Sequence, residues 1–334
     1  LSMFWLLSVS TALAAPNNQN AKDAIKAALH NAAGKPVDID LTDADRLKVV
    51  RLGLSGHGIT NLESLTNLPN LKVLWVHNNR LRNISPVSKM KNLEALYLDH
   101  NQIDDLTPLA NCTKLRTLYL DNNRPKELLP LANLKHLETL SLWHSRLLSI
   151  QGIEGLVKIR RLVLCANRLD NIEPLKNLRQ IQHLDLAQNL IVDIDVLKTM
   201  NKLQVLHLNQ NKIVDLKALS EMHDLRVLNL QHNQIVDLKP LAGLTKLREL
   251  HLNNNKVTDL KPLAGMNELR ALHLGGNQVT DLTPLMGLVS LRELSIIGSA
   301  NLRLPDVAKL QEALPKTEIQ HGNRGMEKKK TKQI

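Results

Sequence analysis

Residues 225–246 read LRVLNLQHNQIVDLKPLAGLTK, and related stretches recur along the chain at a spacing of 22 residues. The copies share the pattern L-x-x-L-x-L-x-x-N-x-I-x-x-L-x-P-L-x-x-L. One copy cannot bury so many aliphatic side chains by itself, so neighbouring copies must stack and share a continuous core. The copies begin at residues 49, 71, 93, 115, 137, 159, 181, 203, 225, 247 and 269, with a degenerate copy at 291.

The composition agrees with a repetitive aliphatic core. Leucine accounts for 70 of the 334 residues, whereas the aromatic residues are only three Trp, two Tyr and one Phe. Charged residues make up 22% of the chain, with 14 Gly and 13 Pro, which excludes wholesale disorder and collagen-like repeats. No run of 18 apolar residues is present, so we expect no membrane-spanning helix.

Each position of the repeat predicts a local role. Leu228 and Leu230 alternate with outward residues, as a half-buried strand requires. An Asn occupies the ninth position of nine copies, where an inward amide can both donate to and accept from the backbone at the turn. The recurrent Asp of the later copies is predicted to serve turn hydrogen bonds, and the recurrent Pro favours an extended segment over a long helix.

This pattern resembles the leucine-rich-repeat proteins of the 22-residue class. The phrases DLTPLAN at 105–111 and DLKPLAGLTKL at 237–247 are similar to the repeats of bacterial internalins, and the resemblance extends from residue 49 to about residue 320. It implies an α/β leucine-rich-repeat solenoid of about 11–12 repeats with a helical N-terminal cap. Such a solenoid has a curved parallel β-sheet on its concave face and extended or 3-10 segments on its convex face.

The segments outside the repeats are predicted to be a signal peptide, two caps and a tail. Residues 1–14 read as a signal peptide, although the usual positively charged start is missing. Residues 15–48 form the N-terminal cap, with a helix from Asn20 to Gly34, a strand over 37–41 and a helical turn from Thr42. Eleven repeats span 49–290. A degenerate repeat and C-terminal cap follow over 291–320, with a helix over 305–314 and a strand over 316–320, and 321–334 is a basic disordered tail.

The variable positions of the repeat locate the candidate site. Positions three, five and seven of each copy point outward from the sheet, and equal positions of successive copies form ladders because neighbouring strands lie about 4.8 Å apart. All four aromatic residues beyond the signal segment fall on these positions, and exposed Trp and Tyr are common anchors of protein interfaces. Simple cross-strand aromatic packing is the alternative interpretation. The predicted partner-binding residues are Trp75, His77, Tyr97, Asp99, Tyr119, Asp121, Trp143, His207, His251 and His273.

Several other features carry weaker predictions. Pro125, Ser145 and Gly152 break the repeat pattern next to the aromatic residues, which indicates either a functional region or drift. His251 and His273 lie on adjacent predicted strands, but the spacing fits no structural zinc site, so no metal and no cofactor are predicted. Arg226, Arg248, Arg270 and Arg292 are expected to form a salt-bridged edge beside Glu249 and Glu293.

The sequence favours a non-enzymatic binding scaffold, because no phosphate loop, nucleophile elbow or metalloprotease motif is present. What the resemblance implies is a secreted or cell-surface (or periplasmic) monomer that recognises a protein partner, with a glycan as the other candidate ligand. Nucleic acid is disfavoured despite the net charge of +11, because Asp99 and Asp121 flank the aromatic residues.

An alternative function is an intracellular enzyme regulator that resembles the leucine-rich-repeat regulatory subunit of phosphatase-1. The chain would then be cytoplasmic and residues 1–15 would remain in the mature protein. Cys112 and Cys165 favour this alternative, because the repeat register places them on opposite faces as free thiols, with Cys165 exposed.

Overall fold

The structure is a computed structural model that describes residues 18–299 and 301–322. The predicted signal peptide (1–14) and residues 323–334 of the predicted tail lie outside the described residues. Within the described ranges, no helix is long and apolar enough to cross a membrane.

The described residues form one open, all-parallel sheet of thirteen short strands in sequential order. Successive strands β1 to β12 pair in a register of 22 residues, so that Leu74 lies beside Leu96 and Leu96 beside Leu118. This confirms the predicted leucine-rich-repeat solenoid. Strands β1 to β13 span Arg51–Gly53, Val73–Trp75, Ala95–Tyr97, Thr117–Tyr119, Thr139–Ser141, Arg161–Val163, His183–Asp185, Val205–His207, Val227–Asn229, Glu249–His251, Ala271–His273, Glu293–Ser295 and Glu318–Gln320.

Short 3-10 helices return the chain on the opposite side of most coils. Among the described residues, Pro stands in the first turn of seven of these helices. Its fixed φ suits a helix start, and its missing N–H would be unpaired there. The 3-10 helices span Glu63–Leu65, Ser85–Lys89, Thr107–Asn111, Leu129–Leu131, Glu173–Leu175, Asp195–Thr199, Lys217–Leu219, Lys239–Leu241, Lys261–Leu263 and Thr283–Leu285.

The core is a column of aliphatic side chains between the sheet and these 3-10 helices. In the coil that begins at Leu225, Leu228 and Leu230 reach it from the strand and Leu238 and Leu241 from the opposite side, each no more than 1% exposed. Each Å² of apolar surface that is removed from water stabilises the fold by about 25 cal/mol, and this burial drives the stacking of the coils. Each coil therefore depends on its two neighbours for burial.

The ninth-position Asn side chains join the coils by hydrogen bonds to the backbone. The Nδ2 group of Asn101 donates to the carbonyls of Leu98 in its own coil (2.8 Å) and Val76 in the preceding coil (3.0 Å). Its Oδ1 accepts from the Leu81 N–H of the preceding coil at 2.9 Å. One buried amide thus satisfies three backbone groups that the strand and the turn leave without partners. The same bonds recur at Asn123, Asn167, Asn189, Asn211, Asn233, Asn255 and Asn277.

The recurrent Asp residues have the predicted turn role. The Oδ1 atom of Asp237 accepts from the N–H of Lys239 at 2.9 Å, two residues further on. This contact starts the 3-10 turn, as Asx side chains commonly do. The equivalent bond is present at Asn61, Asn83, Asp105, Asn171, Asp193, Asp215, Asp259 and Asp281.

The N-terminal cap consists of two helices. Helix α1 spans Asn18–Ala33 and α2 spans Asp43–Leu47. Thus α1 begins two residues before the predicted Asn20 cap, whereas Thr42 caps α2 as expected through a capping box with Asp45. The predicted strand over 37–41 is wrong: these residues form a turn, and Val37 and Ile39 are 51% and 48% exposed.

The physical reason for this turn lies in α1. The buried imidazole of His30 contacts the carbonyl of Lys26 at 2.7 Å and that of Ile39 at 2.8 Å. It ties the loop to the helix, so the loop is not paired along the edge of β1. At the other end, helix α3 (Leu304–Ala313) and strand β13 match the predicted helix and strand of the C-terminal cap within two residues.

The irregular residues Pro125 and Ser145 form a matched pair. In regular coils the N–H at position eleven donates to the Asn of the next coil, as Ile103 does to Asn123 at 2.9 Å. Pro125 has no N–H to donate, and the next coil has Ser145 in place of the Asn acceptor. Ser145 retains part of the donor function, because its Oγ lies 3.3 Å from the carbonyls of Leu120 and Trp143.

Gly152 has a similar packing role. Its φ is +106°, and a Cβ there would lie 2.6 Å from the carbonyl carbon of Leu128 in the preceding coil. The coil of 137–158 has no 3-10 helix, and its backbone approaches the preceding coil closely at this glycine. Packing between coils therefore accounts for all three departures from the repeat.

Restoring the consensus at one member of the pair should destabilise the protein, and restoring it at both should not. Pro125→Ile adds a buried N–H without an acceptor, and Ser145→Asn adds a buried acceptor without its donor. Each unmatched group costs about 1–3 kcal/mol. Urea unfolding of the wild type, both single variants and the double variant would measure the coupling. Strictly additive costs would show that the two substitutions are independent.

Candidate functional site

The outward positions of the sheet bring the predicted aromatic residues together. Trp75, Tyr97 and Tyr119 end strands β2, β3 and β4 and are direct register partners. Their rings stack in sequence, with centroid distances of 5.7 Å and 5.2 Å and interplanar angles of 16° and 17°. We call these three residues the aromatic strip. Because each ring covers a face of the next, the strip presents mainly ring edges to solvent.

Trp143 is separate from the aromatic strip, as its shifted position predicts. Its ring lies tilted against His100 and His144, with centroid distances of 6.4 Å and 6.0 Å. The residue is 36% exposed. Trp143 therefore adds a second aromatic surface beside the strip, on the same face of the sheet.

Asp121 is an anchor for Trp143. Its Oδ1 accepts from the Ser141 hydroxyl at 2.6 Å and from the Trp143 N–H at 2.7 Å. Burial raises the pKa of Asp121 above the ordinary value of 3.8, and these two hydrogen bonds oppose that effect only in part. The carboxylate thus fixes the strand end that carries Trp143, a role that its position in the ladder did not reveal.

His100 lies between the carboxylates and Trp143. The Asp99 carboxylate, 3.4 Å from its Nδ1, raises the pKa of His100. Its Nε2 lies 3.2 Å from the Nδ2 group of Asn122. His100, Asn122 and His144 are not among the site residues predicted from the sequence.

A signal for these residues is present in the repeat. All three occupy position eight, which has a positive φ of 52° to 56°. Asn, His, Gln and Gly recur at this position, with Ala once, and Asn, His and Gly are residue types that tolerate or favour the left-handed region. A conformational requirement at position eight therefore places polar side chains along one border of the outward face. His77 lies next to this border at position seven, where its Nδ1 contacts the side chain of Asn78, the position-eight residue of its coil, at 2.9 Å.

The predicted histidines of the C-terminal half lie on the same sheet face but form two groups. The rings of His251 and His273 have centroids 4.5 Å apart, and their Nε2 atoms lie 3.9 Å from Glu249 and 3.5 Å from Glu293. Burial and the neighbouring His273 lower the pKa of His251. In residues 18–299 and 301–322 no cluster of three or more His, Cys, Asp or Glu could hold a metal ion.

His207 belongs with Asp185 and Cys165. Burial would raise the pKa of Asp185, but the nearby imidazole of His207, 3.7 Å away, and the Ala187 N–H that donates to the carboxylate at 3.0 Å outweigh burial and lower it. Cys165 is partly buried rather than exposed as expected, and burial with the adjacent Asp185 raises the pKa of its thiol. Both cysteines are free thiols.

The predicted salt-bridged arginine edge is mostly wrong. Among the described residues, Arg248 pairs with Glu268 at 3.3 Å, and the guanidinium of Arg292 donates instead to backbone carbonyls of Val289 and Leu291. Glu249 and Glu293 contact histidines, because those side chains lie on the same outward face of the sheet. The arginines occupy position two, outside that face.

Comparison with known proteins agrees with this geometry. A family profile described as leucine-rich repeats (2 copies) matches residues 47–89, 91–133, 179–221 and 223–265, more than half of the chain. The chain belongs to the leucine-rich-repeat family. A search of the curated proteins finds no significant match.

Several solved structures are similar to this leucine-rich-repeat chain. An internalin (InlF) of Listeria monocytogenes is 26% identical, with a TM-score of 0.84 over 93% of this chain and 94% of that chain. The functional domain of InlJ from the same organism is 22% identical, with a TM-score of 0.61 over 95% and 64%. The ectodomain of the Arabidopsis thaliana receptor kinase GASSHO1/SCHENGEN3, solved in complex with CASPARIAN STRIP INTEGRITY FACTOR 2, is 23% identical, with a TM-score of 0.69 over 84% and 37%. The InlF match supports an internalin-like protein, and the other two support the fold alone.

The central ring of the aromatic strip should contribute more stability than a terminal ring. Each stacked pair contributes about 0.5–1.5 kcal/mol beyond the area it buries. Tyr97 takes part in two pairs and Tyr119 in one. Tyr97→Leu should therefore lower the free energy of unfolding by about 0.5–1.5 kcal/mol more than the matched variant Tyr119→Leu, measured by urea denaturation. Equal losses would mean that ring stacking adds nothing to stability.

Asp121→Asn should stabilise the leucine-rich-repeat domain at neutral pH. The amide oxygen can still accept from Ser141 and Trp143, and the partly buried negative charge is removed. The folded-state pKa of Asp121 lies above the ordinary value of 3.8. The wild type therefore loses stability as the pH rises from 3.8 through the folded-state pKa. Thermal melts should show a higher Tm for the variant at pH 7 and a smaller difference at pH 3.5.

The control for this experiment is Asp121→Ala. It leaves the Trp143 N–H without its acceptor and should cost about 1–3 kcal/mol. If Asp121→Asn is as destabilising as Asp121→Ala at pH 7, the charge itself is needed in the folded state.

Proposed function

We propose that this leucine-rich-repeat protein is a secreted or surface-exposed scaffold that binds a protein partner, without catalysis, on the outward face of its sheet. The aromatic strip is the single observation that carries the proposal. Three large rings stand in register on adjacent strands of this face. In the other described coils, position five carries a small or polar residue, except for Val163. Aromatic anchors of this kind dominate the energetics of protein interfaces.

The geometry of the strip favours a protein over a glycan. Sugar rings stack on aromatic faces, and the faces of Tyr97 are covered on both sides by its neighbours. The hydroxyl groups of Tyr97 and Tyr119 have no hydrogen-bond partner among the described residues, so they can donate to and accept from a partner backbone. A row of ring edges with polar tips suits a polypeptide surface.

The charges around the strip disfavour nucleic acid. Asp99 and Asp121 lie at position seven beside the rings, and Asp99 is close enough to His100 to raise the pKa of that histidine. Platforms that stack bases lie in positive grooves. Two carboxylates would repel the phosphate backbone from this surface.

Secretion is supported by the similarity to InlF along nearly the whole of both chains. The alternative, an intracellular enzyme regulator, is favoured by the unpaired thiols. That support is weak, because burial raises the pKa of Cys112 to about 11 and also raises the pKa of Cys165. The thiolate is the reactive form of cysteine, so both side chains tolerate an oxidising environment as free thiols.

Affinity capture with a strip variant tests the proposal. The mature chain and a Trp75→Ala, Tyr97→Ala, Tyr119→Ala triple variant would be used in parallel on a cell-surface extract and on cytosol. The matched control is Val192→Ala, Val214→Ala, Val236→Ala, which truncates three exposed side chains at position twelve of their coils, away from the outward face of the sheet. All three proteins must first show cooperative circular dichroism melts.

A surface protein captured by the wild type and by the valine variant, and lost with the strip variant, is the expected result. Truncation of interface anchors costs about 2 kcal/mol or more each, so the loss should exceed tenfold in affinity. Equal capture by the strip variant would contradict the role of the strip. Capture of an enzyme from cytosol alone would favour the regulator.

A further inference from the structure

The aromatic strip ends at a glycine. Gly53 occupies position five of the first strand and is the direct register partner of Trp75. A Cβ built at Gly53 would meet no atom within 4 Å. The ladder of rings therefore stops beside an open shelf on the sheet, formed by the backbone of β1 and bordered by Trp75.

This shelf exposes one face of Trp75. Tyr97 covers the opposite face, at a centroid distance of 5.7 Å. Among the described residues no second ring and no cation is placed against the indole. The other end of the strip is different, because Tyr119 is followed by Ser141, whose hydroxyl is held by Asp121 and which is only 3% exposed.

The side chain next to the shelf is positively charged. Arg51 lies two residues before Gly53 on the same strand and is exposed. It has no salt-bridge partner among the described residues. Arg51 therefore gives the shelf a positive charge, whereas at the opposite end of the strip Tyr119 lies within range of both Asp121 and Arg161.

We propose that the Gly53 shelf is the subsite for one aromatic side chain of the protein partner, which stacks on Trp75 as the next ring of the ladder, with a carboxylate of the same partner segment beside Arg51. The subsite deepens the proposed function and rests on it. The spacing of the existing rings, 5.2–5.7 Å, places the next ring over β1, where Gly53 leaves the space empty.

An aromatic side chain fits the shelf better than a sugar does. A sugar ring needs polar groups around its hydroxyls in addition to an aromatic face, and Gly53 supplies no side chain. A flat ring gains an offset-stacked contact with the indole, and an acidic neighbour is complementary to Arg51. An aromatic residue next to Asp or Glu is thus the partner chemistry that the shelf selects.

The test is fluorine NMR of the full chain labelled with 5-fluorotryptophan, with the Trp75 resonance assigned by Trp75→Phe. N-acetyl-phenylalaninamide, N-acetyl-leucinamide and methyl glucoside are titrated separately. We expect the phenylalanine amide alone to shift the Trp75 resonance, with saturation in the millimolar range that suits so small a ligand. The Trp143 resonance should not move.

Two substitutions at Gly53 provide the internal control. The backbone φ of Gly53 is not in the left-handed region and the space above it is open, so both variants should keep the wild-type melt. Gly53→Phe should fill the shelf, shift the Trp75 resonance in the direction that the ligand does and abolish the response to it. Gly53→Ala should leave the response in place.

The charge at Arg51 is tested with N-acetyl-phenylalanine, whose free carboxylate distinguishes it from the neutral amide. It should bind about two- to five-fold more tightly than the amide, and Arg51→Gln should abolish that difference while the amide binds as before. Equal binding of both ligands to the wild type would overturn the acidic part of the proposal.

A shift caused by methyl glucoside but not by the phenylalanine amide would overturn the proposal in favour of a glycan subsite. No shift with any ligand, or a shift that persists in Gly53→Phe, would overturn it outright. The failure of the proposed function is separate: it appears as equal capture by the strip variant, whatever the NMR titrations show. If the strip is confirmed, capture by Gly53→Phe equal to that of the wild type would contradict the subsite alone.

Discussion

The buried Asn that nine of the coils share is the constraint on which the rest of the structure depends. A strand of three residues leaves backbone groups unpaired as soon as the chain turns away from the sheet, and the aliphatic core cannot satisfy them. The Asn amide binds one carbonyl in its own coil and a carbonyl and an N–H in the coil before it. It therefore links the polar requirement of the turn to the stacking of leucines, and it fixes the repeat at one register. Pro125 and Ser145 are consistent with this constraint, because the backbone N–H donor at Pro125 and the Asn acceptor of the next coil are lost together.

A rigid register has a direct consequence for function. Because equal positions of successive coils lie in line, any side chain at position five is held at a fixed distance from its neighbours, and three aromatic residues at that position become a stack. The same regularity means that a residue without a side chain, such as Gly53, leaves an open space of defined position beside its neighbour in the ladder. The scaffold supplies the spacing, and the residues at the outward positions supply the chemistry, so the surface can change without loss of the core.

Most of the fold could be predicted from the sequence, because the interactions that create it are repeated eleven times. The strands, the inward Asn, the turn role of the Asp residues and the C-terminal helix and strand all agree with the structure. The predictions that proved wrong concern a segment outside the repeat and side chains that could pair with more than one neighbour. The loop over 37–41 alternates like a strand, but the imidazole of His30 ties it to α1. The arginines at position two were expected to meet Glu249 and Glu293, which instead contact histidines on the outward face.

The sequence by itself determined the repeat, the direction in which each position points and hence the face on which the aromatic residues lie, because the 22-residue period forces equal positions into line. Only the tertiary structure decided how those side chains use their surroundings. Asp121 is a half-buried anchor of Trp143. His100 joins the site from a position that requires a left-handed backbone, and Trp75 keeps one open face beside Gly53. These properties depend on the distances between side chains of neighbouring coils and on how far each side chain is shielded from water. The sequence pattern specifies neither quantity.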